Sequence, residues 1–156
     1  MAVATKAGAG AGTIDALWRR TWPSIAEHPG LTPRVRDLGE RPDGFATGRP
    51  PGPTTLCHGD PSNPNARTSP AGEIALLDWE DVTAGHAVND LVWLLVSSVE
   101  PARWDETLAA YGLVEGLAEA LPEAVRQGLF TLADDPYGPD ADAWGARLDE
   151  ACRRLT

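Results

Sequence analysis

Lysine is almost missing from this sequence. Lys6 is the single one in 156 residues, and it lies in an Ala/Gly-rich stretch with no strand pattern around it. Cations are scarce in general, with 13 Lys and Arg against 23 Asp and Glu and a net charge of -10. A surface of that sign repels a phosphate backbone, so nucleic acid is not an expected partner. Cysteine is nearly as rare. Cys57 and Cys152 are far apart and form no CxxC or His/Cys metal pattern, which excludes a disulfide framework and fits a reduced, cytoplasmic compartment. Long apolar runs are lacking too. The most apolar segment, Leu91 to Val96, is far below the roughly 20 residues that span a bilayer. Met1 to Gly12 has no apolar core of signal-peptide length and reads as a flexible tail.

What is present suffices for one core. At 42% hydrophobic residues, 156 residues can bury a single interior and fall short of two ordinary domains. We expect one domain over 13–156, interrupted by an exposed loop at 39–53 that is rich in Gly, Pro and charge. Thr13 is placed to cap a helix whose apolar face carries Ile14, Leu17, Trp18, Trp22 and Ile25, with Pro23 bending or restarting it. Thr32-Pro33 opens a second helix. Thr54 to Cys57 is β-prone, and Ala66–Thr68 can pair with Glu73–Leu77 across Ser69–Gly72, delivering Asp78 at the end of the second strand. Asp90 precedes or opens an apolar helix over Leu91–Val99, and Pro101 starts the next through Tyr111. The remainder is helical in pattern, with Pro122 opening one segment and Asp140 or Asp142 capping the last. The expected class is α+β: a mostly helical body carrying a small hairpin. No internal repeat is visible.

The chemistry gathers where the hairpin begins. Moving a γ-phosphoryl group to an alcohol needs a carboxylate near the attacking hydroxyl and hard oxygen ligands for magnesium. Asp60 follows a strand where a loop can expose it, Asn65 comes five positions later, and Asp78 returns after the hairpin. Each has a plain alternative, since Asp and Asn in a Pro-rich loop commonly form turns. Trp79 and Trp93 read as core, and Cys57 as a buried small apolar residue.

HGDPSNPN at 58–65, LLDWEDV at 76–82 and Gly85 leading to Asp90-Leu91 together resemble the catalytic lobe of aminoglycoside phosphotransferases, choline kinases and the more distant protein kinases. The resemblance is close over about residues 54–100. It implies the C-terminal lobe of the protein-kinase-like fold, with Asp60 as catalytic base, Asn65 and Asp78 holding Mg2+, and His58 and Asp90 bracing the loop. It further implies ATP or GTP as donor and a small hydroxylated acceptor. A cationic acceptor would suit the acidic stretch from Asp134 and Asp135 to Asp140, Asp142, Asp149 and Glu150, though a charge run is more often a solvated face.

Relatives of that kind carry a strand-rich N-terminal lobe with a phosphate-covering loop and a lysine. Here only 57 residues precede His58. We therefore expect that lobe to be absent and the chain to be weakly active or inactive alone. It would then be a truncated product, part of a split gene, or a lobe completed by a separate chain. Two other readings remain: a non-catalytic lobe that binds a ligand or partner, and a two-His-one-carboxylate iron site from His58, Asp60 and His86.

Overall fold

The computed structural model describes residues 11–41, 45, 48–112 and 115–155, with residues 11–13 described in backbone only. Helix α1 spans Ala11–Ile25, two residues earlier than the expected cap, so Thr13 lies inside the helix, as do Ala11 and Gly12, and the rest of the expected tail lies outside the described residues. Pro23 sits within its last turn without ending it, because only the bond to the carbonyl four residues back is lost there. Trp18, buried to 2% exposure, stacks on Trp22 and meets Phe45 and Phe130 edge-on at 5.1 and 5.3 Å. Phe45 is thus buried within 39–53, which the sequence led us to read as a linker or exposed loop.

Helix α2, Pro33–Glu40, begins as its sequence dictates. Thr32 Oγ1 accepts the Val35 amide, and Pro33 occupies the first turn, where its missing N–H costs nothing. Its end is less expected. The helix runs through Gly39, whose carbonyl accepts the Trp18 indole N–H at 2.9 Å.

Four short strands form two antiparallel pairs. β2 (Ala66–Thr68) and β3 (Ile74–Leu76) make the expected hairpin, with Ala66 opposite Leu76 and Thr68 opposite Ile74. Its turn closes through Gly72 N–H to Ser69 O at 2.9 Å. The other pair was not foreseen: β1 (Thr55–Cys57) lies against β4 (Thr83–Gly85), with Cys57 opposite Thr83. Among the described residues no strand precedes β1. Lys6 lies outside them.

The body is helical. α3 (Ala87–Ser98), α4 (Trp104–Tyr111), α5 (Leu117–Asp134) and α6 (Ala141–Arg153) follow. Leu91, Leu95 and Val96 of α3 pack with Leu121, Val125 and Leu129 of α5 and Leu148 of α6, all nearly inaccessible to water. Burying side chains of that size contributes roughly 1.5–3 kcal/mol each, which is what fixes α3 in place. α3 starts three residues before Asp90, so Asp90 falls in its first turn and not ahead of it. Pro122 lies inside α5, whose start is set by Gly116. Asp140 stands at the cap of α6 but makes no capping hydrogen bond. No helix among the described residues is long and apolar enough to cross a membrane.

Candidate active site

β1 carries the chain into the helical body and ends at Cys57, buried at 2% exposure. Burial first, and then the charge of Asp90, pushes the Cys57 thiol pKa up. That suits a packing role rather than a nucleophile. The next three residues are held almost atom by atom. Asp90 accepts the His58 amide at 2.7 Å on Oδ2 and the Gly59 amide at 3.0 Å on Oδ1, so one carboxylate in the first turn of α3 braces two successive peptides. Gly59 has φ +89, and its Cα lies so close to the Asp81 carbonyl that any side chain would collide.

His58 is buried and neutral by its bonding. Its Nδ1 accepts the Asp60 amide at 3.2 Å, so the ring proton is on Nε2, which donates to the Leu77 carbonyl at 2.9 Å. The ring thereby ties the loop to the residue before Asp78. Its face rests on Trp79, centroid to centroid 4.5 Å. Trp79 is 47% exposed, so it is a lid on His58 and not the core residue its sequence suggested.

Asp60 and Asn65 meet directly. Asn65 Nδ2 donates to the Asp60 carbonyl at 3.0 Å and to its Oδ2 at 2.9 Å. Both amide hydrogens are used, which fixes the amide orientation and leaves Asn65 Oδ1 as an oxygen donor. The other Asp60 oxygen accepts the indole N–H of Trp93 at 2.5 Å. Asn63, in the turn between them, is anchored by its amide on Ser98 Oγ at 2.8 Å.

Asp78 comes alongside through the backbone, where Leu77 N–H donates to Asn65 O at 2.8 Å. Asp78 itself has φ +62, the sole left-handed non-glycine conformation among the described residues. Its carboxylate is exposed and makes no hydrogen bond or ion pair among them. Asp adopts that conformation more readily than most residues, and here no side-chain bond accompanies it. Of the five residues singled out from the sequence, His58, Asp60 and Asn65 of the loop and Asp90 of α3 are joined by direct hydrogen bonds. Asp78 is adjacent through main chain and makes no hydrogen bond to the other four among the described residues.

A cleft of about 600 Å³ opens beside the loop, lined by Arg49, Gly59, His86, Asp90, Trp93 and Glu119 among others. Asp60, Asn65 and Asp78 are not among its walls. Their chemistry, rather than the size of this cleft, marks the site. Among the described residues no three His, Cys, Asp or Glu side chains cluster to hold a metal. Asn65 Oδ1 and the exposed Asp78 carboxylate are hard oxygen donors of the kind magnesium takes, one or two from the protein with water and phosphate completing the shell. The iron reading finds no support: both His58 nitrogens are committed to backbone, and His58, Asp60 and His86 form no metal-holding cluster among the described residues.

Trp93 was read as core and is buried, yet it also holds the loop carboxylate. A usable signal existed, because it lies one helical turn after Asp90 and so shares that residue's face of α3.

Fold and site together define an α+β catalytic lobe of the kinase kind, with a loop-borne carboxylate and amide locked to each other. Residues 4–126 match the phosphotransferase enzyme family, and the chain belongs to that family. An uncharacterized protein of Deinococcus radiodurans is 31% identical over 102 residues, a match that takes in 60% of this chain and 30% of that relative. The chain thus spans less than a third of that protein. No solved structure matches it.

Proposed function

We propose that the chain is the catalytic part of a small-molecule kinase that moves the γ-phosphoryl group of ATP or GTP to a hydroxyl of an aminoglycoside-like or other small acceptor. The observation that carries this reading is the locked Asp60 and Asn65 pair, with Asp78 brought beside it by the Leu77 to Asn65 backbone bond. Asp60 takes the proton of the acceptor hydroxyl as its oxygen bonds to the γ-phosphorus. The bond from that phosphorus to the bridging oxygen breaks, and nucleoside diphosphate leaves. His58 and Asp90 keep the loop in shape, as their backbone bonds allow. Asn65 Oδ1 and the Asp78 carboxylate would hold Mg2+, which when bound supplies neutralisation of the phosphate charge.

The acidic surface, net -10, favours a cationic acceptor and disfavours nucleic acid. The two free thiols suit the cytoplasm. The lysine-bearing, strand-rich lobe that grips nucleotide in the family is not among the described residues. Part of this proposal is that the lobe is weakly active or inactive by itself and that a separate chain can complete the cleft. Leu56, Ile74, Leu77, Trp79 and Val82, all exposed on or next to the two strand pairs, support a partner at that surface. The same patch supports the second reading, a non-catalytic lobe that binds a partner.

Titrating Mg-ATP and Mg-GTP while following melting temperature, then assaying amino-sugar and other polyol acceptors for a phosphorylated product, separates the two. Phosphorylated product that disappears in Asp60→Asn supports the kinase. A folded chain with no thermal shift at millimolar nucleotide favours the binding module.

A further inference from the structure

The Asp60 carboxylate is held at two points by two different elements. Asn65 of the loop donates to Oδ2, and Trp93 of α3 donates to Oδ1. One bond fixes an oxygen but leaves the carboxylate free to turn about its own axis. Two bonds on different oxygens fix its plane. Each oxygen keeps a second lone-pair direction, so the group remains able to accept a proton.

We propose that Trp93 is a positioning residue for Asp60, acting through its indole N–H to set the plane in which the carboxylate meets an acceptor hydroxyl; this rests on the phosphotransferase reading. A buried indole must satisfy its N–H somewhere, and backbone carbonyls ordinarily serve. Trp18 and Trp104 of this chain do so, donating to Gly39 O and Val99 O. Trp93, at 8% exposure, instead donates to the loop carboxylate. Its ring cannot swing away, since it lies 6.0 Å from Trp144 of α6, over which the Arg147 guanidinium sits at 4.9 Å. Arg147 is itself fixed by donating to Val96 O at 2.9 Å. A single turn of α3 therefore controls the loop twice: Asp90 sets its backbone, and Trp93 sets its carboxylate.

The tests are Trp93→Phe and, where the smaller ring disturbs packing, a benzothienyl side chain at position 93, which keeps the indole shape and replaces N–H by sulfur. In the transfer assay we expect kcat to fall about 10- to 100-fold, the cost of a misaligned reacting group. KM for nucleotide and acceptor should stay within about twofold, because ground-state binding is untouched. A purely structural role would instead lower melting temperature and leave the kcat of the folded fraction unchanged. Independently of turnover, the Trp93 indole N–H resonance should lie downfield and move upfield in Asp60→Ala. An unmoved resonance, or an unchanged kcat in both variants of a chain whose activity Asp60→Asn abolishes, overturns this proposal alone. Absence of nucleotide-dependent transfer both by the chain alone and with a completing nucleotide-binding lobe supplied overturns it together with the reading beneath it.

Discussion

Asp90 concentrates more of the site's geometry than any other side chain. It satisfies the His58 and Gly59 amides together, and no other acceptor reaches either among the described residues. Removing it leaves two peptide donors unpaired, one of them on the buried His58. Asp90→Ala should therefore lower unfolding free energy by about 2–3 kcal/mol in urea titration, given the strength of charge-assisted bonds to backbone. Asp90→Asn keeps one acceptor oxygen and should cost about half as much. Equal stabilities for the three proteins would mean the loop does not depend on this brace.

Between elements, the contact of α1 with α2 inverts an ordinary rule. Replacing glycine by alanine within a helix usually stabilises by about 1 kcal/mol. At Gly39 of α2 a methyl group would fall on the Trp22 ring, and Trp22 is stacked on Trp18 at 5.4 Å. Gly39→Ala should consequently destabilise, by about 1–3 kcal/mol, as overpacking does; a higher melting temperature would show that the ring yields freely. The end of α6 carries a pH effect. Glu150 is held below the usual carboxylate pKa, first by its hydrogen bond to Arg153 and also by Arg154, against the opposing effect of burial. Because its folded pKa lies below the reference value of 4.5, the stabilisation is complete above that pH and is lost as pH falls through the folded value. Glu150→Gln should be less stable than the parent by about 1 kcal/mol at neutral pH. The gap should close in acid, and one that persists at low pH would point to packing instead of charge.

Across the whole molecule, both thiols are buried, Cys152 in the helical core and Cys57 at the end of β1 beside the cleft. Burial pushes the Cys152 pKa up to about 12, and Cys57 is raised for the same cause. Thiolate at neutral pH is therefore negligible for Cys152, and neither sulfur is open to solvent. Alkylation of Cys152 in the native protein should proceed only as fast as the chain unfolds globally, and both sites should label together in denaturant. Rapid native labelling of Cys152 would mean that α6 opens by itself.

Local order determined much of this protein from its sequence alone. The Asp60–Asn65 pairing, the β2–β3 hairpin closed by Gly72 and the Thr32-Pro33 helix start each depend on residues a few positions apart, where spacing and turn chemistry decide the outcome. Long-range packing decided the rest. Pro23 and Pro122 stayed inside helices because tertiary burial outweighs a lost bond, and β1 found β4 across 25 intervening residues, 58–82, that no pattern links. Trp93 gained its partner 33 positions away only when α3 docked beneath the loop. A sequence carries the preferences of neighbours along the chain, whereas the orientation of a catalytic carboxylate is set by groups that meet only after the core has closed.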